Sequence, residues 1–272
     1  VPEECRQYAD SILIGDAEST WAAVIEDLRQ GHLEPVYESG PAQPQAGGIL
    51  PRRDLFQGKS YLPITLMQFS RGCRFACDFC AVHAFFDRHH VVRRTREVLN
   101  EIQKQGRKLI FFVDDNFLAD HEAAKLFLRE LIPLRIRWVS QASIDMTQDR
   151  ELMELLAASG CLGNVIGFES INPETLSQMK KTPNLNENST SDTSTEDWDR
   201  YHKHCQVLRE FHLQTWAAFT MGHDGDTLAS IRETFDFAMQ NKFCFAAFNI
   251  LMPYPGTPLY DRLAAEDRLL YD

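Results

Sequence analysis

The chain has 272 residues, 44% hydrophobic and 25% charged, an ordinary globular composition with length enough for one large domain. Its formal net charge of −11 works against general nucleic-acid binding, which needs Lys and Arg to neutralise phosphates, and favours small-molecule or protein substrates. No apolar run approaches the roughly 18 residues of a membrane span, there is no secretory h-region, and the seven cysteines are odd in number, so a cytoplasmic, reduced chain is expected.

Residues 9–16 read as a strand, and 17–30 as a helix with Trp21, Val24, Ile25 and Leu28 on one face. One strand and one helix do not make a domain. Residues 1–36 are therefore expected to be the remnant of an amino-terminal α/β (Rossmann-like) domain. A linker over 37–62 follows, with Pro41, Pro44, Gly47, Gly48 and Pro51.

From 63 to 272, short apolar runs alternate with amphipathic stretches. The expected strands are Ile64–Phe69, Leu109–Val113, Trp138–Ala142, Asn164–Phe168, Thr215–Thr220 and Ala246–Met252. The expected helices are Arg94–Gln105, Glu122–Ile132, Asp149–Ser159, Tyr201–His212 and Thr227–Gln240. Six such units predict an α/β fold with parallel strands and helical crossovers, a partial (β/α)6 TIM-like barrel whose chemistry sits at the carboxyl ends of its strands. Those ends are polar: Asp114-Asp115-Asn116, then Ser140, Gln141 and Ser143, then Glu169-Ser170, then Thr220 to Asp224, then Pro253 to Thr257. The basic run Arg88–Arg96, with His89 and His90, reads as an exposed first helix or as a local basic patch. The stretch 182–198 is nearly devoid of apolar residues and is expected as a flexible insertion, either tolerated or acting as a substrate lid. Tyr271-Asp272 follows a helix-like run without a stop signal, so the chain reads as a piece of a longer protein.

Three cysteines dominate the chemistry: Cys73, Cys77 and Cys80, spaced C-x-x-x-C-x-x-C. A cubane iron–sulfur cluster normally takes four cysteines. Three leave one iron open, and an open position separates a catalytic metal site from a structural one. The rival is a non-catalytic zinc or iron–sulfur module, for which His83, His89 or His90 would donate a fourth ligand. Cys161, Cys205 and Cys244 read as apolar packing residues, His202 and His204 as surface residues, and Tyr254 as packing at a strand end.

The cysteine run and its flanks resemble the radical S-adenosylmethionine (SAM) superfamily: an apolar run Pro63–Phe69, the turn Arg71-Gly72, and Phe79 before the third cysteine. Three further runs resemble its cobalamin-binding-domain branch: Phe111 to Phe117, Ile166 to Ser170, and Pro253 to Tyr260. Residues 9–18 are similar to the last strand and turn of that branch's cobalamin domain.

The resemblance implies a [4Fe-4S] cluster on Cys73, Cys77 and Cys80, with SAM bound at the open iron through its amino and carboxylate groups. It implies that Asp114, Asp115 and Asn116 face the SAM amino group, as a carboxylate there sensibly would; helix capping is the alternative. It places Glu169 and Ser170 at the SAM ribose, with a turn and cap as the alternative. Gly222 and Gly256 would let backbone approach the adenine or serve as turns. Phe79 would cover the cluster or pack beside adenine. The implied chemistry is SAM cleavage to start radical reactions, most often cobalamin-dependent methylation at an unactivated carbon of a small molecule, with ring closures and rearrangements in the same branch. An electron donor such as flavodoxin or ferredoxin is implied as partner. The branch's cobalamin domain often carries a D-x-H-x-x-G motif whose histidine ligates cobalt. These residues contain none, so cobalamin is implied for the parent protein rather than for this chain alone.

Overall fold

The computed structural model describes residues 2–40, 50–106, 108–185 and 196–270. It begins with a short helix α1 (Pro2–Cys5), strand β1 (Ile12–Ile14), helix α2 (Trp21–Gln30) and strand β2 (Val36–Glu38). β1 and β2 pair in parallel, so the expected boundary at 36/37 falls inside a strand. Gly31 closes α2 in the left-handed conformation that favours glycine. Residues 41–49 of the expected linker lie outside the described residues. Further along the linker, Arg53 docks on the barrel, with Nη2 2.6 Å from the Leu66 carbonyl and 2.9 Å from Glu101.

The main sheet holds β3 (Thr65–Met67), β6 (Leu109–Phe112), β7 (Arg137–Ala142), β8 (Cys161–Glu169), β9 (Gln214–Met221) and β10 (Phe245–Ile250), all parallel and in that spatial order. Each strand lies beside its predecessor, the signature of repeated right-handed strand–helix crossovers. The crossovers carry α4 (Thr95–Gln105), α5 (His121–Leu131), α6 (Arg150–Ala158), α8 (Glu196–Glu210) and α9 (Leu228–Asn241). The partial barrel is thus the expected one. Helix starts follow local chemistry: Asp120 caps α5 by accepting from Ala123 N–H, Asp149 caps α6 by accepting from Leu152 N–H, and Thr227 with Ser230 forms a capping box on α9.

Two regions differ from expectation. Before α4, the run His90–Val92 is a strand (β5), antiparallel to Ser70–Gly72 (β4). Val91 and Val92 are β-branched and favour a strand, so the basic run becomes a hairpin arm and the helix waits until Thr95. The expected flexible insertion 182–198 is structured at both ends. Pro183 and Asn184 are buried in a turn, with Asn184 Nδ2 3.0 Å from the carbonyls of Gly167 and Phe168, and α8 is already running at Glu196. Residues 186–195 lie outside the described residues.

Small helices α3 (Ala81–Phe86), α7 (Pro173–Gln178) and α10 (Pro258–Ala265) decorate the carboxyl end of the barrel. Among the described residues no helix is long and apolar enough to cross a membrane. The core is aromatic: Phe117 is fully buried, with its ring centroid 4.9 Å from Phe112, 5.0 Å from Trp138 and 5.5 Å from Phe69. Phe117→Ala is expected to cost about 3–5 kcal/mol, read from urea denaturation; a loss below about 1 kcal/mol would show that the cluster does not hold this end of the barrel together.

Candidate active site

All six parallel strands point their carboxyl ends the same way, so residues far apart in sequence share one rim. At that rim β4 leads into the cysteine loop. Its position is fixed by the end of β6. Asp114 is fully buried and accepts from Phe69 N–H at 3.1 Å, from the Ser70 hydroxyl at 2.6 Å, and from Ser70 N–H. Asp115 accepts from Gly72 N–H at 2.8 Å. Both carboxylates therefore anchor β4. Gly72 has φ +78, and a Cβ there would meet the His89 carbonyl at 2.1 Å, so only glycine lets the hairpin close before Cys73.

The loop carries three free thiols; Cys77 is buried, and Cys73 and Cys80 are half-buried. Burial pushes the Cys77 thiol up to about 11 against the pull of the nearby Lys181 cation. Burial also raises Cys73, opposed by donors including Asn116. Asn116 Nδ2 sits 3.8 Å from Cys73 Sγ and donates to Ser143 Oγ at 2.8 Å. Its Oδ1 is buried without a partner. Arg74 reaches Asp145 at 3.6 Å, tying the loop to the end of β7.

Facing the loop, β8 ends in a strained bulge. The register shifts between Gly167 and Glu169, and Glu169 takes φ +61. Such strain in a non-glycine residue collects at functional sites, and bulges re-aim side chains. Here Glu169 receives Lys181 Nζ at 2.9 Å and the Thr220 hydroxyl at 2.8 Å. Lys181 is nearly buried; burial alone would lower its pKa, but Glu169 and the cysteines raise it overall. Sequence reading missed Lys181, which looks like a surface lysine beside Lys180. Lys180 adopts φ +54 after α7 and turns the chain back, bringing Lys181 to the rim.

Ser170 is buried, but its hydroxyl accepts from Asn172 N–H at 3.1 Å, the turn-and-cap role. Gly256 has φ +83, a turn conformation that favours glycine, with open space where a Cβ would lie. Gly222, at φ +107, donates N–H to Asp226 at 2.7 Å and likewise makes a turn. Phe79 is partly buried against the core and meets the edge of the His223 ring at 6.1 Å. His223 is the second residue sequence reading overlooked: it is buried, its Nε2 lacks a partner, and burial lowers its pKa. The structure thus gathers the cysteines, Phe79, Asn116, Glu169, Lys181 and His223 at one rim.

The Radical SAM superfamily model matches residues 67–238. The chain is 28% identical to bacteriochlorophyllide d C-12(1)-methyltransferase of Chlorobaculum tepidum over 96% of this chain and 57% of that protein. It is 24% identical to hopanoid C-2 methylase of Rhodopseudomonas palustris over 82% of this chain and 42% of that protein. The chain spans about half the length of the curated relatives it matches. In fold it is similar to the radical SAM methyltransferase TsrM from Kitasatospora setae, solved with cobalamin and a [4Fe-4S] cluster, with a TM-score of 0.63 and 24% identity over 75% of this chain and 39% of that one.

Burial raises the Asp114 carboxyl to about 6, outweighing the donors that favour its charge. An acid with a folded pKa above its unfolded value of about 4 takes its proton first in the folded state. Stability is expected to fall as pH rises between these two values and to stay lower above them. Denaturant titrations between about pH 4 and about pH 7 should show this slope in the native protein and a flatter one in Asp114→Asn; equal slopes would assign the effect elsewhere.

Proposed function

The chain belongs to the radical SAM superfamily, and from that premise we propose that it holds a [4Fe-4S] cluster on Cys73, Cys77 and Cys80 and binds SAM at the open iron. The protein it belongs to would use this site for methylation at an unactivated carbon of a small molecule. The observation that carries the reading is the three-thiol loop set at the barrel rim opposite the buried Glu169–Lys181 pair.

The donor set fits a cluster. Burial keeps the Cys77 thiol protonated in isolation, so an electropositive iron core is what would make its thiolate favourable. With the cluster and SAM bound, the site supplies a one-electron cleavage of SAM that starts radical chemistry. The chain's own residues orient and shield. Lys181 supplies a fixed cation to an anionic ligand group, and Glu169, held by Thr220, accepts from hydroxyl or ammonium donors. Asn116 positions Cys73, and its unpartnered Oδ1 is a ready acceptor. Phe79 packs beside the loop against the His223 ring. A zinc module is less well supported, because the family match and the methylating relatives favour the enzyme reading.

The amino-terminal unit does not by itself build a corrin site. It offers two short strands and one main helix, and its one histidine, His32, is exposed just past α2. TsrM and the methylating relatives support cobalamin for the whole protein.

Anaerobic reconstitution with iron and sulfide should give a cubane EPR signal on reduction that changes when SAM is added. A signal indifferent to SAM, or zinc retained in place of iron, would overturn the reading. Glu169→Ala should keep its iron and lose about tenfold or more in SAM affinity, about 1.4 kcal/mol; unchanged affinity would remove Glu169 from the SAM site.

A further inference from the structure

The inner wall of the partial barrel is apolar. Side chains alternate along each strand, so Ile110, Phe112, Trp138, Ile166, Ala217 and Phe219 pack outward into the helix-covered core while their neighbours face inward. The strand registers set those inward residues in rows. Leu66, Phe111 and Val139 make one row, and Val165, Trp216 and Phe245 a second. Gly167, Ala218 and Ala247 make a third, nearer the carboxyl ends. None of these residues is ionisable. Trp216 and Phe245 are 46% and 50% exposed, with their ring centroids 4.5 Å apart. The wall is continuous with the candidate active site. A Cβ on Gly167 would meet Glu169 Oε1 at 2.3 Å and Lys181 Nζ at 2.9 Å, so the ion pair lies directly over the row of small residues. The aromatic row lies two residues farther down the strands, about 7 Å at the usual strand rise. The small side chains thus leave a slot between the charged pair at the rim and the Trp216–Phe245 contact below it.

We infer that this slot takes an uncharged, largely apolar, ring-bearing part of the substrate, with Trp216 and Phe245 as its specificity-determining contacts. The inference deepens the methylation reading above and rests on it. Half-exposed aromatic rings on a concave wall gain by shedding water onto an apolar ligand. A charged group placed there would lose its hydration against rows that carry no opposite charge. Shape agrees: Gly167, Ala218 and Ala247 withhold side-chain bulk, and a flat group can approach the sheet closely there. The rim supplies the few polar groups that orient a ligand in such a pocket: Glu169, Thr220 and, in register with Thr220, Asn249. The chemistry agrees as well. An unactivated carbon offers no polar handle, so the surface around it has to be recognised by apolar contact.

The test uses two probes of one shape, neutral 1-pyrenemethanol and anionic 1-pyrenesulfonate, measured by equilibrium dialysis against the reconstituted chain. The neutral probe should bind, and the sulfonate should bind about tenfold or more weakly. Trp216→Ala should weaken the neutral probe about tenfold by removing an aromatic contact. Ala218→Phe should do the same by filling the slot from the row above. Leu228→Ser on α9, 90% exposed and outside the slot, should bind as the wild type does. Circular dichroism and the thermal midpoint check that each variant is folded. Equal binding of the two probes, or wild-type binding in both slot variants, would show that the wall does not select an apolar ligand. Loss of binding in Leu228→Ser alone would place the probe on α9 and overturn the inference. So would a longer parent protein in which neither probe binds and Trp216 is shielded from acrylamide, because another chain segment would then cover the wall. The SAM-sensitive EPR signal of the same samples separates the two readings. Probe binding lost with that signal intact overturns the apolar slot alone. The signal lost with probe binding intact overturns the proposed function, and the substrate assignment with it.

Discussion

The site depends on one buried carboxylate. Asp114, just past β6, has no exposure to water and takes donors from Phe69 and Ser70, so the strand that launches the cysteine loop is held at its start. Hydrogen bonds to a charged acceptor contribute roughly 1.5–3 kcal/mol each, yet burial still drives the Asp114 carboxyl upward. The group is thus held at a cost by the fold around it. Its neighbour Asp115 fixes Gly72 from the same strand end. Two adjacent residues of one strand therefore set the height and direction of the loop on another, and the thiols inherit that precision.

Across the rim, the same economy of charge appears in Glu169 and Lys181. Neither would tolerate burial alone, and removing one partner of such a pair commonly costs about 3–5 kcal/mol. The pair exists because two local distortions bring it together: the bulge that gives Glu169 φ +61, and the left-handed Lys180 that folds the chain back after α7. Strain of this kind costs about 1–3 kcal/mol per residue and would be pointless at a packing position. Beside the cysteines it creates a paired cation and anion whose directions the fold fixes.

Much of this was legible in the sequence. The six barrel strands were read close to their observed spans because each is an apolar run closed by polar residues, as Leu109–Phe112 is by Asp114-Asp115-Asn116. The cysteine triplet and its flanks carried the resemblance to the family whose model matches residues 67–238. What the sequence did not reveal was direction. Asp114 and Asp115 have the composition of ligand-binding carboxylates, and only their contacts show them turned toward β4. Lys181 carries no local mark of burial, because the residues that bury it come from β8 and the cysteine loop. The hairpin of β4 and β5 was invisible for a related reason: two three-residue strands separated by the whole loop leave no periodicity to read.

Arg71 shows how the amino-terminal unit joins this system. Its guanidinium reaches Asp16 at 3.1 Å and Glu18, while its Nε donates to Gln68 at 3.0 Å. Asp16 and Glu18 lie just past the carboxyl end of β1, and Arg71 lies two residues before Cys73. The clamp therefore ties the carboxyl end of β1 to the strand that leads into the cysteine loop. The pairs are largely shielded, with side chains between 20% and 23% exposed, so they are screened less than surface ion pairs would be. β4 is therefore held from two sides, by Asp114 and Asp115 of the barrel and by Asp16 and Glu18 of the amino-terminal unit. Arg71 thus joins the small sheet directly to the strand that precedes Cys73.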